Sequence, residues 1–309
     1  MKLNHLRDIV AVAQNGSLRA ASRHLGIAQP VLTRSIRDTE QELGATLFER
    51  HARGVRLTTI GEAVVRRASG IQAEFQRLEE EVEQLKGSGT GEVSVAFSTA
   101  SSMSLMPSAV TAFRKRYPDT ILKMSEGFFQ PIQSRLLSGE VDLYVGPLDL
   151  KYVTSRIEVE ELFENWRVVI ARKGHPAGAA RRLEQLSGER WIQPAWPDSG
   201  AEPDFRSIFT ERGLPAPNIV THARSALLTL VSVTSSDLLT ILPIQWLDSS
   251  PAGFSLEALP LSEALSAPPI CIARRKDMPL TPVAEHLHDM MRRAAAHYVH
   301  RRAGGVPGT

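Results

Sequence analysis

Pro30, Thr33, Arg34, Arg37 and Gln41 share one side of a helix if successive residues advance by about 100°. Leu32, Ile36, Thr39 and Leu43 then share the opposite side. An amide, a hydroxyl and two guanidinium groups on one exposed face do no bond-making chemistry. They are groups for hydrogen-bonded recognition of a polar or anionic surface. The residues upstream say how that face would be held. Ser17 suits the N-cap of a short helix whose inner positions are Ala20, Ala21 and Leu25. Gly26 follows where glycine makes a left-handed helix stop inexpensive. Ile27 plugs the turn, and Pro30 sits where a new helix can begin without losing a backbone bond. Two helices joined by a tight glycine turn, the second buried on one side and basic on the other, read as a helix-turn-helix. The same pattern also occurs in helical domains that bind no nucleic acid, so the surroundings decide.

The chain has 309 residues, 42% hydrophobic and 23% charged, enough for two or three ordinary globular domains. Its net charge of +2 is unevenly spread. Between Met1 and Ile60 nine basic side chains face five acidic ones, giving +4 and leaving −2 for the remainder. A basic head on a slightly acidic body suits a polyanionic partner for the head alone. No apolar signal-like region opens the sequence and no apolar run could span a bilayer. Cys271 is the sole cysteine, so no internal disulfide can form, and the cytoplasm is the expected compartment. Its apolar, strand-like setting predicts a buried thiol.

Leu6, Ile9, Val10 and Ala13 predict a first helix over 3–14, completing a three-helix unit. Leu47 and Phe48 return to its core. A hairpin over 49–57 turns near Gly54 and carries Arg50, Arg53 and Arg56. Beside a recognition helix it reads as a wing for the phosphate backbone or minor groove; otherwise it is a solvated arginine-rich turn. Thr58 or Thr59 then caps a long helix in which Val64, Ala68, Ile71, Phe75, Leu78, Val82 and Leu85 alternate at spacings of four and three. That strict seam predicts helix-on-helix pairing between two copies rather than packing on the chain's own body. The glycine-rich run 87–91 reads as a linker.

Beyond it, strands are expected over 92–97, 120–125, 141–145, 167–171, 191–193, 238–242 and 270–273. Helices are expected over 104–116, 130–137, 205–212, 225–233 and 281–300. This alternation predicts parallel α/β sheets in two subdomains, with the chain returning to the first near Pro268.

With these pieces in place, the chain resembles the LysR-type transcriptional regulators over essentially its whole length. The specific part is Gly16-Ser17-Leu-x-Ala20-Ala21-x-x-Leu25-x-Ile27-x-Gln29-Pro30-x-Leu32-x-Arg34-x-Ile36. It continues through Glu42-Leu-Gly44, Leu47-Phe48-x-Arg50 and Arg53-Gly54-Val-x-Leu57-Thr58-x-x-Gly61. Ala28 departs from a frequent serine cap, and Thr33 stands where serine is usual while keeping the hydroxyl. The resemblance implies that Gln29 and Pro30 face base edges, that Thr33 and Arg34 reach bases or phosphates, that Ser17 meets a phosphate and that Arg53 enters the minor groove. To these the helical reading adds Arg37 as a phosphate contact or a surface salt bridge, and the wing adds Arg50.

The implied architecture is an N-terminal winged helix-turn-helix (1–58), a linker and dimerisation helix with hinge (59–90), and a periplasmic-binding-protein-like effector domain (91–309). Lobe I would hold 91–162 and 269–309, lobe II 163–268. The implied effector cleft lies between the lobes. Its expected lining is Ser98, Thr99, Ala100 and Ser101, flanked by Phe128, Phe129, Gln130, Pro147, Trp196, Ser199 and Pro243. Hydroxyls and N–H groups at a helix start suit a carboxylate or sulfonate, or else Ser101 or Ser102 is a simple helix cap. The aromatic side chains would sandwich a ring or belong to the core. Gly213-Leu-Pro-Ala-Pro217 and Ser236-Asp237-Leu-Leu-Thr240 resemble regulators of aromatic-compound breakdown, including toluenesulfonate-responsive ones.

The expected partners are double-stranded promoter DNA, a small effector, further copies of the chain as a dimer of dimers, and RNA polymerase; no membrane, cofactor or metal is expected. No nucleophile elbow, phosphate-cradling loop, dinucleotide fingerprint or metal-spaced His/Cys set supports an enzyme. His286, His288, His297 and His300 on the final helix read as a solvated face. The alternative, a solute-binding module of a transport or sensory system, shares the body but has no use for the basic head.

Overall fold

The computed structural model describes residues 1–51, 54–87, 90–194, 205–248 and 254–304. It divides into two compact units, one built on residues 1–88 and one on 89–136 and 141–309.

In the first unit, α1 (Leu3–Asn15) buries Leu6, Ile9, Val10, Ala11 and Val12 and stops at Gly16. The Ser17 hydroxyl caps α2 (Leu18–Leu25) by accepting from the Ala20 amide at 3.1 Å. Gly26, at φ 65°, ends that helix, and the Ile27 amide closes the turn onto the Ser22 carbonyl at 3.1 Å. In this left-handed position a Cβ would be strained. α3 (Gln29–Leu43) then starts with Pro30 in its first turn and with Ala28 at a cap position that offers no side-chain bond. Leu32, Ile36 and Thr39 are buried as the spacing predicts. Leu43 is not: it is the last residue of α3 and is 40% exposed. The core joins Ile9, Val12, Ala21, Leu32, Ile36, Leu47 and Phe48.

The wing is the antiparallel pair β1 (Phe48–His51) and β2 (Gly54–Leu57). The Val55 amide donates to the Gly16 carbonyl at 2.9 Å, tying the wing to the turn between α1 and α2. Thr58, not Thr59, caps α4 (Thr59–Leu85), accepting from the Gly61 amide at 2.9 Å.

The second unit begins with β3 (Glu92–Phe97), followed by α5 (Thr99–Ser104), α6 (Met106–Arg116), β4 (Ile121–Glu126), α7 (Phe129–Ser138) and β5 (Leu143–Pro147). The expected single helix over 104–116 is therefore two, and the first starts five residues early. β6 (Ile157–Arg172) is far longer than expected and is followed by β7 (Arg190–Pro194), α8 (Ser207–Thr210), β8 (Asn218–Ala223) and α9 (Ala226–Thr234). β9 (Thr240–Pro243), α10 (Gln245–Asp248), β10 (Leu256–Ala258), β11 (Leu265–Arg275) and α11 (Pro282–Gly304) complete the fold.

The sheets are mixed, which corrects the expectation of purely parallel ones. β3 pairs parallel with β4 and β5, and β7 pairs parallel with β8. β11 runs antiparallel to both β5 and β6, while β9 and β10 are antiparallel to β6. The cause is that the returning strand β11 lies against β6 along nearly its whole length, with an irregularity at Pro268 and Pro269, which cannot donate to the ladder. β6 and β11 thus serve two cores. One gathers Val95, Phe97, Phe113, Leu143, Ile272 and Leu287; the other gathers Val169, Leu183, Trp191, Phe209, Leu239 and Ile241. These are the two α/β lobes.

Gly61 lies in the first turn of α4, where a Cβ would come within 2.1 Å of the Leu47 carbonyl oxygen. Helix propensity alone would make Gly61→Ala a gain of about 1 kcal/mol. The contact reverses the sign: thermal denaturation should show a loss of about 2 kcal/mol.

Candidate functional site

Gln29, Pro30, Thr33, Arg34, Arg37 and Asp38 line one continuous surface groove on α3. The structure therefore brings together four of the five residues expected on that face, Pro30, Thr33, Arg34 and Arg37, and adds Gln29 and Asp38; Gln41 is exposed but does not line the groove. Arg34 has 84% of its side chain exposed, and its Nε lies 3.7 Å from a carboxylate oxygen of Asp38 one turn on. The Thr33 hydroxyl donates back to the Gln29 carbonyl at 2.9 Å, which leaves its lone pairs outward. Ser17 is half-buried with its oxygen already engaged as a cap. Arg56 is exposed on β2. Arg50 lies on β1, though its side chain falls outside the described residues, as does all of Arg53.

Two carboxylates hold α3 from behind, and the sequence reading missed both. Asp8, buried in α1, accepts from the Ser35 hydroxyl at 2.6 Å and from Arg7 at 3.0 Å. Glu40 on α3 accepts from the amides of Leu47 and Phe48 at 2.7 and 3.1 Å, joining the recognition helix to the start of the wing. These acids are spent on internal donors, so the outward face is more basic than the +4 of the segment implies. An aspartate amid the apolar positions of α1 was the available signal for Asp8.

The expected effector residues separate into groups. Ser98, rather than Ser101 or Ser102, caps α5: its oxygen accepts from the Ser101 amide at 3.2 Å and lies 3.0 Å from the Ser101 hydroxyl. Ser98, Ala100 and Ser101 are buried; Thr99 and Ser102 are half-buried. α5 is only six residues long, and the amides of Ser101 and Ser102 are used within it, bonded to the hydroxyl and carbonyl of Ser98. Thr99 moreover donates to Glu126, which puts a carboxylate beside it. Phe129 is a core residue, its ring 5.4 Å from that of Tyr144. Pro243 is buried in β9 opposite Arg167. Phe128, Gln130 and Pro147 remain half-buried. Trp196 and Ser199 lie outside the described residues.

Along α4 the seam divides. Ala68 is buried against Leu6 and Val10 of α1, and Val64 packs on the same unit's core, so the chain itself covers these two. Ile71, Phe75, Leu78, Val82 and Leu85 are 42 to 73% exposed. At the far end of the chain, His286 and His288 correct the reading of a solvated face. The Nδ1 of His286 pairs with the Tyr117 hydroxyl, and His288 is half-buried 3.7 Å from Glu160, with burial lowering its pKa. Among the described residues no group of three metal-ligating side chains converges, and no helix is long and apolar enough to cross a membrane.

Two family descriptions match the chain: a bacterial regulatory helix-turn-helix protein of the lysR family over residues 3–62, and a LysR substrate binding domain over residues 86–296. The HTH-type transcriptional regulator GbpR of Azospirillum brasilense is 28% identical, across 99% of this chain and 90% of its own. The Escherichia coli regulator TdcA is 26% identical, across 85% and 84%. A full-length OxyR variant from Pseudomonas aeruginosa superposes with a TM-score of 0.71 at 25% identity, covering 94% of this chain and 95% of that one.

Cys271 is buried on β11, and burial pushes its thiol up to about 12. Alkylation of the native protein at pH 8 should therefore run on the order of a hundredfold slower than in denaturant. Equal rates would show a thiol accessible to redox chemistry.

Proposed function

The chain belongs to the LysR family of bacterial regulatory helix-turn-helix proteins, DNA-binding transcriptional regulators rather than enzymes, and on that premise we propose how its residues divide the work. Residues 1–58 bind DNA, 59–90 pair two copies and form the hinge, and 91–309 take up the effector, with lobe I over 91–162 and 269–309 and lobe II over 163–268. α3 enters the major groove with Gln29, Pro30, Thr33 and Arg34 toward base edges; Arg37, Ser17 and the wing residues Arg50 and Arg53 meet the phosphates and the minor groove. The observation that carries this reading is the groove on α3: six side chains line it on the surface while Leu32 and Ile36 of the same helix are buried.

Self-association proceeds through Ile71, Phe75, Leu78, Val82 and Leu85, an apolar row too exposed to be left in water along about four turns of helix. Val64 and Ala68 contribute by fixing α4 to α1. Pairing of dimers gives a tetramer on a bent promoter, and effector binding between the lobes shifts the placement of the dimers and the access of RNA polymerase. The working compartment is the cytoplasm. The effector is a small molecule, with an aromatic acid or sulfonate as the class to test. The half-buried hydroxyls of Thr99 and Ser102 and the half-buried Phe128 and Pro147 support it, whereas Glu126 beside Thr99 weighs against an anion.

Arg34→Ala should cost about 10- to 100-fold in preference for the target promoter over unrelated DNA. Arg50→Ala should weaken both evenly and lower the salt slope by about one. Equal losses with equal slopes in quantitative retardation would contradict these roles. In a thermal-shift screen, a cognate aromatic acid or sulfonate at about 100 times its Kd should stabilise the effector domain by about 2.7 kcal/mol. No shift with any member at millimolar concentration would remove that class.

A further inference from the structure

Among the described residues Asp38 is the only acidic side chain lining the groove on α3, and it stands among groups that must approach a polyanion. Stability does not account for it. The pair with Arg34 is open to water, with 84% and 50% of the two side chains exposed at 3.7 Å. Exposed pairs of this kind contribute little and are screened by salt. The order is also the weaker one for a helix, with the cation N-terminal to the acid. Asp38 is too far outward to share the internal duties of Asp8 and Glu40, which accept from Ser35 and from the Leu47 and Phe48 amides.

We propose that Asp38 is a positioning residue that sets the base specificity of Arg34. An unrestrained guanidinium on a long flexible stem satisfies itself with whichever phosphate is nearest. Two-pronged pairing with a guanine edge requires the fork to be held over the base, and a carboxylate one turn along the same face supplies the second anchor. The negative charge also lowers the attraction of α3 for DNA of any sequence, which widens the gap between right and wrong sites. The inference rests on the placement of α3 in the major groove proposed above.

The test is selection from a randomised duplex pool by the full-length protein, with affinity for unselected duplex measured across a salt series. Asp38→Asn should bind unselected duplex about three- to tenfold tighter, with a salt slope steeper by about one per bound head. Its preference at the base read by Arg34 should fall about tenfold. Asp38→Glu, which keeps the charge, should retain most of that preference, as a merely structural role would not require. Unchanged selection by Asp38→Asn overturns the inference. Arg34→Ala separates the levels: if it too selects unchanged bases, the placement of α3 fails, and if it alone loses selection, only the role of Asp38 fails.

Discussion

Leu32 has no exposed surface and Ile36 almost none, and between them Ser35 donates to the buried carboxylate of Asp8. These contacts fix the rotation of α3 about its own axis. The functional reading depends on that rotation, because a turn of one residue, about 100°, would carry Leu32 and Ile36 out of the core and the recognition side chains off the outward face. Glu40 adds a constraint along the axis by accepting from the first amides of the wing. The Val55 amide, bound to Gly16, fixes the wing to the turn before α2. Recognition helix and wing are thus parts of one rigid arrangement rather than two independent appendages.

In the effector domain the corresponding constraint is a pair of long strands. β6 and β11 run antiparallel through both lobes, so lobe I is completed only when the chain returns from lobe II. Their pairing becomes irregular between Ala267 and Cys271, where two prolines interrupt the donor ladder. A connection of this kind joins two packed cores at a defined line, which suits a ligand-responsive cleft. The polar residues Asn165 and Arg167 are buried beside that line, bonded to the carbonyls of Pro268 and Ser266 at 3.1 and 2.8 Å.

What could be read from the sequence is what local spacing controls. Ser17, Gly26, Pro30 and Thr58 mark helix ends by short-range chemistry, and each performs the expected role. Leu43 has the right spacing but is 40% exposed, a tertiary fact that periodicity does not contain. Among Ser98, Ser101 and Ser102 each could cap a helix, and the choice followed from where β3 ends. The direction of β11 and the full length of β6 depend on pairing between residues about a hundred positions apart, which no local pattern encodes. The seam on α4 was legible as a row, but its division at Ile71 was not, since Ala68 is taken up by α1.

The central claim is that the outer face of α3 lies in the major groove of DNA. It can be tested with a single tethered cleavage reagent. Because Cys271 is buried, Thr33→Cys would provide the one reactive thiol of the folded chain to carry an iron chelate that cuts DNA. Cuts confined to two short windows of the promoter, separated by whole helical turns, are the predicted result. Specific binding without any cuts, or cuts scattered along the backbone, would contradict the account.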